Sequence, residues 1–346
     1  MEIRVYNKGL EFLGVIENHT SLIWTRKYFG SGSFELHAPL TDDNLKLIHE
    51  GNIVWKRGCV EAGVIEDISI EDSYSAKKIT VKGRFLSSYM DRKIIKGTFT
   101  YKGTVEGAMR ELLANNPIPM VELGEVSGFT DPVSFQTTYK NLLTYEQKLS
   151  QNSALGFRFR PDFNKKKIFF EVYKGIDRST SQRENNRVVF SESYDNLNNA
   201  IYRYNEQTYK NVAYVGGEGE GSARKIVVVG DTTAGDVREI FVDARDIQSE
   251  GLTDAEYETL LRTRGEEALA SNNIKSSFEC DTGFNVNFTY KVHYDLGDII
   301  TVKKKRWGIT VDKRITEIRE IYENGGMIIE PTFGDAMPDT IDWSDK

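Results

Sequence analysis

The sequence is poor in the residues that build disulfide frameworks, metal centres and nucleophilic active sites. Its 346 residues include two cysteines, Cys59 and Cys280, and four histidines. Two cysteines so far apart in sequence provide neither a disulfide framework nor a cysteine-based zinc site. No His-Glu-x-x-His or Gly-x-Ser-x-Gly pattern occurs, so the motifs of zincins and α/β-hydrolases are missing. The sequence therefore predicts no enzyme, no metal and no cofactor.

Long apolar runs are also missing. No run approaches the 18 residues of a membrane span, and the N-terminus lacks the basic and apolar regions of a signal peptide. We therefore expect no membrane span and a chain made in a reducing cytoplasm. The formal net charge is -7 with both signs mixed along the chain, which disfavours a dedicated nucleic-acid binder. A hydrophobic content of 39% is enough for buried cores.

Short strands between Gly, Asn, Asp and Ser turns alternate with a few helices along the chain. Thr104 is a candidate N-cap for one helix, 141–156 predicts a second, and Thr253 with Glu256 forms a capping box for a third. We expect a mixed β and α+β fold with two related β-barrels and α+β insertions. The predicted divisions are a first β-barrel at 1–95, an α+β domain at 96–190, a second β-barrel from 191–230 and 276–334, a helical insertion at 231–275 that packs with the α+β domain, and a loose acidic tail at 335–346.

An internal comparison suggests why two barrels would occur. The passage "EGNIVWKRGCVEAGVIEDISIED" at 50–72 aligns loosely with "LGDIITVKKKRWGITVDKRITEIRE" at 296–320. Both have a glycine, a polar residue and an apolar pair, then a basic turn, then an Ile-x-x-Ile pattern with an acidic residue between. The comparison indicates a repeated unit, one copy near each end of the chain.

The glycine-rich stretch "VAYVGGEGEGSARKIVVV" at 212–229 superficially resembles a phosphate-binding loop. Glu218 and Glu220 would repel a phosphate there, and a β-branched run follows where a phosphate site needs a helix. We therefore predict a hairpin with a long flexible tip. As candidate interface residues we take Gly216, Gly217, Glu218, Gly219, Glu220 and Gly221.

Two basic turns, at 164–168 and 303–307, allow two interpretations. Each is either a solvated hairpin tip or charged edge, or a contact with a polyanion or with the acidic surface of a neighbouring subunit. Tryptophan beside four basic residues favours an interface at the second turn. The candidate interface residues there are Lys303, Lys304, Lys305, Arg306 and Trp307.

An ordered set of passages resembles a family of phage proteins. They are "SLIWTRKYFGSGSFELHAPL", "EAGVIEDISIEDS", "ITVKGRFLSSYMDRKI", "TYKNLLTYEQKLS", "YKNVAYVGGEGEG", "VDARDIQSE", "YDLGDIITV" and "WGITVDKRITEI". The chain resembles the tail-tip hub proteins of siphophages, the structural N-terminal part of tail-associated (Tal-type) proteins, which are similar to the baseplate hub of contractile tails. The resemblance implies a homotrimer whose paired barrels form a pseudo-sixfold ring.

The resemblance also implies partners and a location. The ring would join a distal tail or tail-tube ring protein to the tip, and the tape-measure protein and then DNA would pass through it. Tail fibre, receptor-binding or lysin proteins are further expected partners, and the virion tail tip is the expected location after synthesis in the bacterial host cytoplasm. Only twelve residues follow Gly334, so we expect the hub alone, without a wall-degrading extension.

Two other functions stay open at this point. A host-receptor or glycan-binding tail module would need exposed aromatic surfaces. A tail-associated wall-degrading enzyme would need a carboxylate pair in a cleft, a Cys–His pair or a metal set.

Overall fold

The computed structural model describes residues 1–281, 287–323 and 326–334, so the predicted acidic tail at 335–346 lies outside the described residues. Within these ranges strands are the main secondary structure. The strands are β1 Ile3–Tyr6, β2 Phe12–Ile16, β3 Ser21–Lys27, β4 Ser33–Pro39, β5 Ile53–Lys56, β6 Gly63–Val64, β7 Asp67–Asp72, β8 Lys77–Arg84, β9 Thr98–Thr104, β10 Val121–Leu123, β11 Pro132–Thr138, β12 Gly156–Asp162, β13 Lys167–Tyr173, β14 Val189–Ser191, β15 Asn198–Asn205, β16 Val212–Gly216, β17 Ile226–Val229, β18 Glu239–Asp243, β19 Lys275–Asp281, β20 Ile299–Lys304, β21 Ile309–Glu323 and β22 Gly326–Gly334.

Four α-helices lie between these strands in the described ranges: α1 Asp42–Leu47, α2 Val105–Asn115, α3 Leu142–Ser153 and α4 Asp254–Ser271. Short 3₁₀ helices occur at Leu86–Arg92, Glu192–Tyr194, Gly221–Ala223 and Lys305–Trp307. The predicted caps are confirmed. The Thr104 hydroxyl accepts a hydrogen bond from the Gly107 N–H, and Thr253 and Glu256 form the reciprocal capping box of α4. Each cap satisfies backbone donors that the first helical turn leaves free.

Strands from both ends of the chain form one ten-stranded sheet. Its main path runs β15-β19-β22-β21-β3-β4-β8-β7, with β20 and β14 attached beside β21. The predicted mixed β and α+β class is confirmed. The described strand pairs do not close either half into a barrel, because β21 continues the sheet by pairing antiparallel with β3. Two closed barrels therefore stay a prediction.

The main path contains the same four-strand unit twice. In chain order the units are β3, β4, β7, β8 and β15, β19, β21, β22. In each unit the sheet order is first, second, fourth and third strand, so the fourth strand lies between the second and the third. The register agrees as well as the order. Phe34 lies between Trp24 and Gly83, and Phe278 lies between Tyr202 and Phe333. Both phenylalanines are the centre of a Ser-Phe-Glu triplet.

The aligned passages at 50–72 and 296–320 occupy corresponding places in these two units. Each begins with an antiparallel hairpin, β5 with β6 and β20 with the start of β21. Each ends on the strand that pairs with the last strand of its unit, β7 with β8 and β21 with β22. The structure thus supports the internal repeat that the sequence indicates.

Two smaller layers complete the fold. In the middle of the chain, the sheets β10-β13-β12 and β11-β9 pack with α2 and α3 around a large apolar core. Farther along, β17-β16-β18 forms a three-stranded sheet that α4 covers. The sequence assigns β16 and β17 to the second barrel, whereas here they pair with β18. The strand β18 was not predicted, because it is only five residues long and lies in the segment 231–275, where the helical pattern of α4 dominates.

Candidate assembly surfaces

The junction between the two repeated units is built around a buried arginine. Arg26 on β3 is 2% exposed. Its guanidinium donates to both carboxylate oxygens of Glu61, at 2.9 and 3.0 Å, and to Asp295 at 2.6 Å. Glu61 lies in the β5–β6 connection and Asp295 lies just before β20, so one cation holds carboxylates from both ends of the chain. Burial alone would raise the pKa of Glu61, but the charge and hydrogen bonds of Arg26 hold it below its usual value.

A second buried ion pair involves β21, the other strand of the junction. Lys56, the last residue of β5, pairs with Glu320 on β21, and both side chains are nearly inaccessible. Tyr290 donates to Glu320 at 3.1 Å and also accepts from Arg26 at 2.8 Å, so the two pairs form one network. Burial would raise the pKa of Glu320, but Lys56 and Lys291 lower it to about 2. Buried charges persist only when paired in this way.

The glycine-rich stretch is an antiparallel hairpin, as predicted, because β16 pairs with β17. Its base is anchored. The Glu218 N–H donates to the Tyr257 hydroxyl at 2.7 Å, and Ser249 donates to the Glu218 carboxylate. Gly216 and Gly217 are buried, whereas Gly219, Glu220 and Gly221 are exposed. Only the outer half of the predicted tip is therefore available to a partner.

The predicted basic turn lies at the β20–β21 connection, in the ten-stranded sheet, away from the sheet that carries the glycine-rich hairpin. Lys304 pairs with Glu192 at 2.6 Å and lies 5.0 Å from the Trp307 ring centre. Lys303, Lys305 and Arg306 complete the turn, and Trp307 is 44% exposed beside Phe278. The two predicted site segments lie in different sheets, and their interface roles stay predictions.

Two other surfaces were not predicted from the sequence: the outer strands of the main sheet path, β7 and β15. Within the described residues, β7 pairs only with β8 and β15 pairs only with β19. Both strands carry apolar side chains that face solvent: Ile70 is 53% exposed, and Tyr202 and Tyr204 are 39% and 53% exposed. Apolar residues at every second position of each strand were the available signal. An exposed apolar edge is a template for pairing with another strand.

One face of the ten-stranded sheet is polar, and its charges are largely paired across strands. Acidic and basic side chains alternate so that each of these cations lies near a carboxylate. The pairs are Lys27–Glu317, Lys82–Glu35, Arg319–Glu330, Arg203–Glu279 and Lys78–Glu71. The opposite face carries core residues of both units, such as Trp24 and Phe278. The polar face is therefore close to neutral rather than basic.

The part of the chain that the structure describes has no cluster of metal-ligating side chains and no membrane-spanning helix. Among these residues, no group of three or more His, Cys, Asp or Glu is placed to hold a metal ion. Cys59 and Cys280 are both buried, and they lie in separate apolar cores. No helix within 1–281, 287–323 and 326–334 combines the length and apolar character needed to cross a membrane.

Comparison with known proteins decides the family. The sequence model described as Siphovirus ReqiPepy6 Gp37-like protein matches residues 2–335. The chain belongs to this family. The expected membership among siphophage tail proteins is thereby confirmed. No curated protein matches the chain.

Solved structures show the same fold at low sequence identity. The tail protein from Neisseria meningitidis MC58 has a TM-score of 0.60 at 15% identity, with 96% of each chain covered. The 43 kDa tail protein of prophage MuSo2 from Shewanella oneidensis has a TM-score of 0.60 at 14% identity, covering 96% of this chain and 98% of that one. Prophage tail protein gp18 from Listeria monocytogenes EGD-e has a TM-score of 0.57 at 12% identity, covering 97% and 95%. The fold of this family member is therefore that of phage tail proteins.

Proposed function

We propose that the chain is the structural hub of a bacteriophage tail tip or baseplate, and that it acts as a homotrimer. The observation that carries this proposal is the repeated four-strand unit. Three copies of a chain with two equivalent units present six similar units around one axis. Such a ring matches a sixfold tail tube on one side and a threefold tip on the other, which gives the repeat a mechanical purpose.

The polar face of the ten-stranded sheet suits the lining of the central channel. A passing polyanion would meet carboxylates beside each of the paired cations, so counterion release, the main source of nonspecific DNA affinity, would be small. Tape-measure protein and then DNA could move along such a wall without being retained. The family supports a place in the virion, and we assign the chain to the tail tip.

The ring would have protein neighbours on both sides. We infer contacts with a distal tail or tail-tube ring protein above and with tail fibre, receptor-binding or lysin proteins below. The exposed tip Gly219–Gly221 and the basic turn 303–307 are the surfaces we assign to these contacts. The role is structural, and the chain has no proposed catalytic, metal or cofactor site.

The test is the solution mass of the full chain by light scattering, with negative-stain images of the same sample. We expect a mass of three copies and rings with threefold symmetry and an open channel. A monomer or twofold dimer at every concentration, with no ring in the images, would contradict the proposal.

A further inference from the structure

The two outer strands of the main sheet path are the counterparts of the two strands that meet at its centre. By order and register, β7 corresponds to β21, and β15 corresponds to β3. Inside the chain, β21 of the second unit pairs with β3 of the first. We propose that β7 of one copy pairs with β15 of the next copy, so that the junction inside each chain is repeated between chains. This inference rests on the proposed trimer and names its interface.

The internal junction predicts the register between copies. There, Glu317 lies opposite Lys27 and Ile321 opposite Ile23 in an antiparallel pair. Asp67 pairs with Lys82 in the first unit, and Glu317 pairs with Thr332 in the second. Lys82 and Thr332 are equivalent positions, so Asp67 of β7 corresponds to Glu317 of β21. In the same way, Tyr202 of β15 lies where Trp24 of β3 lies, because they pair with the equivalent residues Phe278 and Phe34. The predicted opposite pairs between copies are therefore Asp67 with Asn205, Ile68 with Tyr204, Ser69 with Arg203, Ile70 with Tyr202 and Glu71 with Ile201.

This register brings exposed apolar side chains together on the core face of the sheet. Ile70 would lie against Tyr202, and both are exposed in the single chain; the half-buried Ile68 would lie against the exposed Tyr204. At the corresponding internal positions, Trp24 and Ile318 are fully buried and Glu320 is 1% exposed. Aromatic side chains opposite β-branched ones are favourable cross-strand pairs. The same positions would thus be buried in both junctions.

The charges of the two edges select this pairing over a twofold one. The strand β7 carries the acids Asp67, Glu71 and Asp72, of which Glu71 and Asp72 already pair with lysines of β8. The strand β15 carries Arg203, paired with Glu279 of β19, and no acid of its own. Two β7 edges side by side would bring like charges together, which is unfavourable across strands. Pairing β7 of one copy with β15 of the next avoids this repulsion. Because the two surfaces differ, the contact is head-to-tail. A head-to-tail contact closes into a ring when its rotation allows it.

Disulfide trapping tests the register. The double variants are Ser69→Cys with Arg203→Cys, and Ile70→Cys with Tyr202→Cys. Directly opposite pairs alternate between hydrogen-bonded and non-hydrogen-bonded spacing, so one of the two suits a disulfide. The matched control is Ser69→Cys with Tyr202→Cys, whose side chains would point to opposite faces of the sheet. The unsubstituted chain controls for the buried Cys59 and Cys280 thiols.

After mild oxidation, we expect a covalent trimer on a non-reducing gel for at least one of the two opposite pairs, at roughly tenfold or more over the control variant because only opposite Cβ atoms lie within bonding distance. Light scattering of the same samples measures the mass of the assembly, so it tests the trimer independently of the strand pairing. Trimers without the register-specific product would contradict the strand pairing and leave the ring intact. Monomers without it would contradict both. A ladder of open multimers would support the pairing and contradict the closed ring.

Discussion

The central junction and the outer edges of the ten-stranded sheet use equivalent strands with different side chains. At the junction, Arg26 and Glu320 occupy core-facing positions and are held by a buried ion network. At the edges, the corresponding positions carry Tyr204 and Ile70, which are exposed and apolar. Buried ion pairs demand fixed geometry and have little net effect on stability, whereas apolar pairs tolerate assembly from separate molecules. The two units therefore meet within the chain at a hydrogen-bonded strand junction with a buried polar network, and they end at edges that carry exposed apolar side chains.

Removing the central cation should have the largest effect. Arg26→Met leaves the buried Glu61 carboxylate without its partner, and we expect a loss of about 3–5 kcal/mol in the free energy of unfolding, measured by urea denaturation. Arg319→Met, on the adjacent strand, breaks a half-exposed pair with Glu330 and should cost about 1 kcal/mol or less. If Arg26→Met does not fold, the double variant with Glu61→Met should recover part of the loss. Equal effects of Arg26→Met and Arg319→Met would show that the junction does not depend on this network.

Acid should weaken the junction more than the edges. The pKa of Glu320 is lowered to about 2 in the folded chain, so its stabilisation is present above the usual glutamate range and is lost as pH falls from about 4.5 towards 2. The loss from this group is on the order of 3 kcal/mol. Unfolding free energies measured between pH 7 and 3 should fall steeply in the unsubstituted chain and less steeply in Glu320→Gln. The exposed Asp43→Asn variant is the control, and it should keep the steep fall. An equally steep fall in Glu320→Gln would rule out Glu320 as the source.

An acidic substitution at the edge should break assembly but not the fold. Ile70→Asp removes an apolar contact from the proposed interface, and we expect association to weaken roughly 10–100-fold. The free energy of unfolding of the monomer should change by no more than about 0.5 kcal/mol, because the side chain is exposed there. Ile226→Asp, at a similarly exposed isoleucine on β17 in another sheet, should leave the light-scattering mass unchanged. The strand-pairing proposal fails if Ile70→Asp assembles like the unsubstituted chain.

The smallest effect concerns the glycine-rich hairpin, whose base is bonded and whose tip is exposed. Glu218→Ala removes the carboxylate that accepts from Ser249, and it should cost about 1 kcal/mol in thermal or urea denaturation. Glu220→Ala, two residues along at the exposed tip, should not change stability measurably. An equal loss of unfolding free energy in Glu218→Ala and Glu220→Ala would show that the Glu218 hydrogen bonds do not anchor the base of the hairpin.

Local features were predictable from the sequence, and long-range pairing was not. The caps of α2 and α4, the hairpin at 212–229 and the repeated passages at 50–72 and 296–320 each depend on residues close together in the chain. The junction depends on Arg26 meeting Asp295, a separation of 269 residues, for which local patterns carry no signal. The strand β18 was hidden for a related reason, since its partner β16 lies in a different predicted segment. The interface residues chosen for their composition, glycines and lysines, did not include the outer strands β7 and β15.

By this proposal, one strand junction occurs both within each copy and between copies of the chain. Hydrogen–deuterium exchange of the full chain, measured below and above the concentration at which light scattering shows assembly, tests it directly. We predict that backbone amides of β7 and β15 become protected on assembly, while those of β3 and β21 are protected at both concentrations because they already pair. A threefold rise in mass without added protection in β7 and β15 would contradict the claim.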